Sequence, residues 1–248
     1  MKDNPGTLQE GGAPFHTTHW SVVVQAMASQ PPASAQRALG DFCQAYWPPL
    51  YTFVRRRGHP PADAQDLVQG FFAHLLAKDT LSRADREKGK LRTFLLGALQ
   101  NYLANEYDRA QTLKRGGGQH VVSMDDQLVA TEAALVASHG LDEAASYDQA
   151  WVSTLVGRAW QRLEGEFAAE GKARVLELLR PFLLGGTTVP SQEEVAARLG
   201  MAFNTLRSIL RRTRQRYRET LRDEVARTMT DPSQVDEELR YLYQLLLA

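Results

Sequence analysis

Apolar residues in this chain recur at three- and four-residue steps in one segment after another, the period of helices with one buried face. Between about Ala35 and Arg57 the series is Leu39, Phe42, Cys43, Tyr46, Leu50, Phe53 and Val54. From Ala62 to Lys78 it is Ala64, Leu67, Val68, Phe71, Phe72, Leu75 and Leu76, and from Leu91 to about Leu113 it is Phe94, Leu95, Ala98, Leu99, Tyr102 and Leu103. Trp151, Leu155, Val156, Ala159, Trp160, Leu163 and Phe167 repeat the pattern near Asp148, and Arg174–Leu184 forms a further helical segment. No segment shows convincing strand alternation; Val121-Val122 is at most briefly extended. The expected fold is all-α.

Breakers divide the series. Pro48 and Pro49 fall inside the first long segment and predict a kink or a junction of two helices, because proline lacks the N–H that a helix interior needs. Gly58-His59-Pro60-Pro61 ends that segment, Asp79–Lys90 reads as a charged loop, and Lys114-Arg115-Gly116-Gly117-Gly118 is a strong stop. A shorter helix through Trp20, Val23, Val24 and Met27 is capped by Thr17 or Thr18 and broken before Ser34 by Pro31 and Pro32. The organisation expected is two small helical domains, 16–115 and 148–220, joined by an acidic linker over 116–147. Residues 1–15 read as disordered. Residues 221–248 form a C-terminal helical extension that starts at Asp231-Pro232-Ser233 and has a stripe of Leu239, Leu242, Leu245 and Leu246.

Formal charge is balanced, 29 basic against 29 acidic residues, but the signs are segregated. Gly116–Gly157 contains no Lys or Arg while carrying Asp125, Asp126, Glu132, Asp142, Glu143 and Asp148. Val195–Arg218 contains no acid while carrying Arg198, Arg207, Arg211, Arg212, Arg214, Arg216 and Arg218. Local fields attract local partners, so a run of arginine without acids is an electrostatic footprint for an anionic polymer. No apolar run reaches the roughly 20 residues of a membrane span, and the first residues lack a signal-peptide pattern, so the expected location is cytoplasmic. The single cysteine, Cys43, sits in an apolar helical series with no basic partner, and reads as a small core residue.

The sharpest local motif begins at Ser191. Glu194 follows three residues later, the spacing of a capping box. Val195, Ala196 and Leu199 supply a packing face, Gly200 supplies the left-handed turn, and Leu206, Ile209 and Leu210 anchor a second helix on the first. This is a helix-turn-helix. Its outer face carries Phe203, Asn204, Thr205, Arg207, Ser208, Arg211 and Arg212, with Arg214 following. Asn204 suits adenine, and Arg207 or Arg211 suits guanine. Arg212, Arg214, Arg216 and Arg218 suit phosphates, which contribute a salt-sensitive and sequence-blind attraction.

The first half narrows the choice among helix-turn-helix proteins. Tyr46 to His59, Asp63 to Phe72 and Leu91 to Leu103 resemble region 2 of extracytoplasmic-function (ECF) sigma factors of the sigma-70 family, and Asn204 to Arg214 resembles their region 4. Thr17 to Val23 and Lys114 to Gly118 resemble a divergent branch, here with a C-terminal extension. The resemblance implies a promoter-specificity subunit of RNA polymerase that is not an enzyme and needs no cofactor or metal. Its partners would be promoter DNA and core polymerase, through the clamp helices of the largest subunit and the flap of the second largest, with a separate anti-sigma factor as a further partner. Asp63, Gln65, Asp66, Leu67, Gln69 and Phe72 would meet the clamp helices. Arg92, Gln100, Asn101, Asn105, Tyr107, Arg109, Lys114 and Arg115 would hold the −10 element as single-stranded DNA, where stacking and basic contacts capture unpaired bases. Phe203, Asn204, Thr205, Arg207, Ser208, Arg211, Arg212 and Arg214 would read the −35 element. Phe94 and Tyr102 read as core positions. Two departures stand out: Phe94 where the family usually has Trp, and Gly70 where an acid is usual after Gln69.

Other functional classes fit less well. His16 and His19 lack the carboxylate or Cys cluster that would complete a metal site, and Gly116-Gly117-Gly118 lacks the strand and Lys-Ser/Thr of a phosphate loop. A stand-alone helix-turn-helix repressor or activator, and a protein-interaction module such as an anti-sigma factor, remain as alternatives.

Overall fold

The computed structural model describes residues 33–77, 90–112, 125–137, 140–185, 189–229 and 231–247, and these are helical with no strand among them. In chain order the helices are α1 (Ala33–Arg56), α2 (Pro61–Ala77), α3 (Leu91–Thr112), α4 (Asp125–Ala137), α5 (Glu143–Ala169), α6 (Ala173–Leu184), α7 (Gln192–Arg198), α8 (Phe203–Arg227) and α9 (Val235–Leu247). The expected features at 1–15, at Thr17–Met27, through most of the 79–90 loop and at Lys114–Gly118 lie outside the described residues.

The all-α expectation holds, and the local signals explain most boundaries. Asp142 caps α5 by accepting from Ala145 N–H at 2.7 Å, so the helix starts earlier than the apolar series at Asp148 indicates. Asp231 accepts from Ser233 N–H at 2.9 Å and opens a 3₁₀ turn over Pro232–Gln234 that leads into α9. Pro48 and Pro49 do not divide α1, which runs through them as one helix. Buried Tyr46, Trp47, Leu50 and Tyr51 surround the pair, so packing on both sides offsets the missing N–H groups.

One apolar cluster runs through both halves of the chain. It takes Phe42, Tyr46 and Leu50 from α1, Val68 and Phe71 from α2, and Leu95 and Leu99 from α3. It continues into Tyr147, Trp151 and Leu155 of α5, Leu221 and Val225 of α8, and Val235 and Leu242 of α9. The seam is aromatic: Tyr46 of α1 stacks on Trp151 of α5 with ring centres 4.6 Å apart. Helix α4, inside the acidic 116–147 stretch, also lies against α1. Glu132 accepts from Tyr51 Oη at 2.5 Å and from Arg55 Nε at 2.6 Å, and Arg56 donates to the Leu135 carbonyl at 3.0 Å.

A second cluster joins Leu179 of α6, Val195 and Ala196 of α7, and Leu206 and Leu210 of α8. A third, formed by Trp160, Leu163, Phe167 and Leu176, ties α5 to α6. Two long helices therefore link the clusters: α5 enters the large core and the third cluster, and α8 enters the large core and the second. Among the described residues no helix is long and apolar enough to cross a membrane.

Candidate nucleic-acid interface

The helix-turn-helix is built as its residues dictate. Ser191 Oγ accepts from Glu194 N–H at 3.1 Å while the Glu194 carboxylate accepts from Ser191 N–H at 3.1 Å, completing the capping box of α7. Gly200 closes the helix at φ +63°. Met201 N–H reaches back to the Ala196 carbonyl at 3.0 Å and Gly200 N–H to that of Ala197 at 3.1 Å, the paired bonds of a Schellman turn. The chain then re-enters a helix at Phe203, and fully buried Leu206 seats α8 on Val195 and Ala196.

This seating turns a polar face outward. Phe203, Asn204, Thr205, Arg207, Ser208, Arg211, Arg212 and Arg214 are all exposed. No side chain caps the N-terminus of α8, which leaves its first N–H groups and the positive end of its dipole at the surface. Gln192, Asn204, Arg207, Arg211, Arg214 and Arg218 are among the residues lining an open depression of about 1010 Å³. None of its arginines makes an ion pair with a carboxylate among the described residues. Uncompensated guanidinium groups around an exposed helix start can attract phosphates, and Asn204 and Arg207 beside them are chemically suited to base edges.

The basic series on α8 is interrupted at Arg216, while Arg218 beyond it is exposed. Arg216 is turned back onto the protein, with ion pairs to Glu166 and Glu170 of the α5 end, each at 2.8 Å, and its guanidinium 5.2 Å from the Phe167 ring centre. It is thus engaged internally where sequence reading assigned it to phosphates. Spacing along one helix could not separate Arg216 from its neighbours, because the acids that hold it come from another helix.

The second group of candidates lies on α3. Gln100, Asn101, Asn105, Tyr107 and Arg109 are exposed, Tyr107 at 67 %, and Arg109 bridges Glu106 at 2.7 Å. Tyr107 and Gln100 border an open cleft of about 770 Å³ with Arg57, His59, Leu67 and Leu103. An exposed aromatic ring beside basic and amide groups can stack and hydrogen-bond an unpaired base. Lys114 and Arg115 lie outside the described residues.

Arg92 is placed differently. Nine residues separate it from Asn101, half a helical revolution beyond whole turns, so the two lie on opposite faces of α3. Its side chain is only 12 % exposed and donates to Glu238 of α9 at 2.8 Å and to Asp148 of α5, with the guanidinium 4.8 Å from the Tyr241 ring centre. Lys90 pairs with the same Glu238 at 2.5 Å. Sequence reading missed this cluster. Its one visible trace is Glu238, an acid on the buried side of α9 between Val235 and Leu242.

On α2, Asp63 and Asp66 are exposed, Gln65, Leu67 and Gln69 are half-buried, and Phe72 is in the core, edge-on to Phe42 at 6.2 Å. The two acids give this face of α2 negative charge at the surface, and Phe72 lies in the core beneath it. Gly70 has a local cause: a Cβ there would stand 2.4 Å from Tyr102 Oη of α3. Phe94 and Tyr102 are half-buried against the core, as expected.

Burial raises the Cys43 thiol to about 11, so it is protonated at neutral pH. Among the described residues no group of three or more His, Cys, Asp or Glu side chains is arranged to hold a metal ion.

Residues 42–112, α1 from Phe42 through α3, match the family model described as Sigma-70 region 2. Comparison with curated proteins and with solved structures returned no match. The family match supports a sigma-70 relationship over the segment it covers, and that segment contains both the α2 acids and the exposed α3 face.

Proposed function

We propose that this chain is a sigma factor of the ECF type, from a divergent branch with a C-terminal extension. It binds core RNA polymerase, recognises −35 and −10 promoter elements, promotes melting and directs initiation, and carries out no chemistry itself. The observation that carries this reading is the order of two parts in one chain: a Sigma-70 region 2 match over 42–112, then a helix-turn-helix whose exposed face carries Arg207, Arg211, Arg212 and Arg214 without ion pairs among the described residues.

In this reading residues 16–115 serve polymerase and the −10 element, and 148–220 serve the −35 element. Asp63 and Asp66 meet the basic clamp helices of the largest subunit, and the region 4-like half meets the flap of the second largest. Gln100, Asn101, Asn105 and Tyr107 capture unpaired −10 bases, with Arg109, Lys114 and Arg115 on the strand backbone. Asn204, Arg207 and Arg211 read the −35 duplex, while Arg212 and Arg214 hold its phosphates. The work is done in the cytoplasm, where the polymerase is.

The test is reconstitution. The full chain is mixed with core RNA polymerase and a promoter library, and initiation and opening around −10 are measured. Specific initiation is the expected result. Tight duplex binding by the chain alone, with no binding to core, would replace this reading with a stand-alone regulator. Failure of both would favour a protein-interaction module such as an anti-sigma factor.

A further inference from the structure

Helices α1, α4 and α5 meet around a cleft of about 410 Å³, within the size range of small-molecule sites between packed helices. Its apolar walls come from Pro48 of α1, Ala130, Ala134 and Leu135 of α4, and Ala150 of α5. Its polar groups are hydroxyls and one amide: Thr52, Thr131, Ser146, Gln149, Ser153 and Thr154. The cleft belongs to neither candidate nucleic-acid face, and the function proposed above makes no use of it.

One of these groups is out of place in a closed core. Ser146 is 1 % exposed, and its Oγ has no hydrogen-bond partner. A buried hydroxyl left unbonded is destabilising, so native folds rarely keep one without a reason. The groups beside it also have bonding capacity to offer. Ser153 and Thr154 direct their hydroxyl protons within α5, to the Gln149 carbonyl at 3.0 Å and the Ala150 carbonyl at 2.9 Å, which leaves oxygen lone pairs to accept. Pro48 has no N–H to give the Gln44 carbonyl, one turn earlier on the same face of α1. The set is rich in acceptors, and Ser146 and Gln149 can both donate and accept.

Charge narrows the class of ligand. No residue lining the cleft ionises, so a charged group would be desolvated there without a counter-charge. Gly116–Gly157, which supplies α4 and the start of α5, contains no Lys or Arg, so an anion also meets an unfavourable field. What fits is an uncharged ring molecule that donates hydrogen bonds from one edge and lays an apolar face on proline, alanine and leucine. Sugars and nucleosides share that chemistry.

We propose that the cleft between α1, α4 and α5 is a binding site for a small, uncharged, polyhydroxylated ligand held by Ser146 and Gln149. Because α4 provides one wall, an occupant ties this helix to α1 and α5. The site stands independently of the sigma-factor reading.

The test is amide NMR of the full-length chain titrated with uridine and with methyl glucoside, each beside a phosphorylated counterpart, uridine monophosphate and glucose 6-phosphate. Saturable shifts at 146–154 from at least one neutral probe are the expected result, with the phosphorylated form at least tenfold weaker at those residues and amide exchange in 125–137 slowed on binding. A response to uridine alone would assign the site to nucleosides, and one to the glucoside alone to sugars. No saturable shift from either neutral probe, or equal affinity for the phosphorylated forms, would overturn the proposal and leave a cleft for solvent only. Ser146→Ala should melt at or above the wild-type temperature, because the hydroxyl it removes is unbonded, and should weaken the neutral probe about tenfold. A lower melting temperature with unchanged affinity would show a hydroxyl that serves the fold alone, and would overturn the site. Ala150→Leu fills the cleft and should abolish the shifts at wild-type helicity; retained affinity would also overturn it. If that variant loses helicity, Ser146→Ala decides.

Discussion

At the scale of single residues, the clearest constraint is the absent side chain at position 70. Alanine should gain about 1 kcal/mol of helix propensity over glycine. Its Cβ, however, would stand 2.4 Å from Tyr102 Oη, and the ring behind that oxygen is held by Phe71 and His74. Overpacking of this kind costs about 1–3 kcal/mol, so Gly70→Ala should lower stability in urea melts. Adding Tyr102→Phe removes the blocking oxygen and leaves the nearest ring carbon at 3.5 Å, an ordinary contact. The double variant should therefore be more stable than Tyr102→Phe alone; the opposite order would assign Gly70 to something other than this approach. The sequence showed the glycine as a departure from a familiar pattern, but its reason is a residue 32 positions away on another helix.

Among the elements, α7 was legible nearly in full because its determinants are local. Ser191→Ala removes one arm of the capping box and should cost about 1 kcal/mol, read as a lower melting temperature, with Glu194→Ala at a similar loss and the pair less than additive. Helix α4 was not legible, since its acidic, Ala-rich composition suits a tether equally well. Tertiary contact decided it: Glu132 lies between Tyr51 and Arg55 of α1. Hydrogen bonding from Arg55, first, and then from Tyr51 holds the Glu132 carboxyl below its ordinary 4.5 against an opposing effect of burial. A lowered folded-state value means that this contribution is complete above pH 4.5 and is lost as pH falls through the lowered value. Amide exchange in 125–137 should rise as the solution is acidified through that range. Glu132→Gln should destabilise by about 1–2 kcal/mol at neutral pH, after allowance for partial solvent exposure, and converge with wild type in acid.

For the whole molecule, the shared core predicts how it unfolds. Trp47 reports from α1, and Trp151 and Trp160 from α5, all nearly buried. If Tyr46–Trp151 stacking and the apolar core around it bind the halves together, tryptophan fluorescence and helical circular dichroism should follow one coincident denaturant transition. Two resolved transitions would show halves that fold separately and a seam that contributes little.

What the sequence determined alone was the part governed by contacts a few residues apart. Helical period, the caps at Ser191 and Asp231, the turn at Gly200 and the outward arginines of early α8 all follow from neighbours within a turn or two. What only the tertiary structure decided was which charges remain free. Arg207 and Arg216 lie on one basic helix and look alike in sequence, yet one faces solvent and the other is held by Glu166 and Glu170. Arg92, a residue chemically suited to DNA, is held by Glu238 from 146 positions away. A charge is available for recognition only when no opposite charge has been folded against it, and that depends on how distant helices pack, which periodicity does not encode.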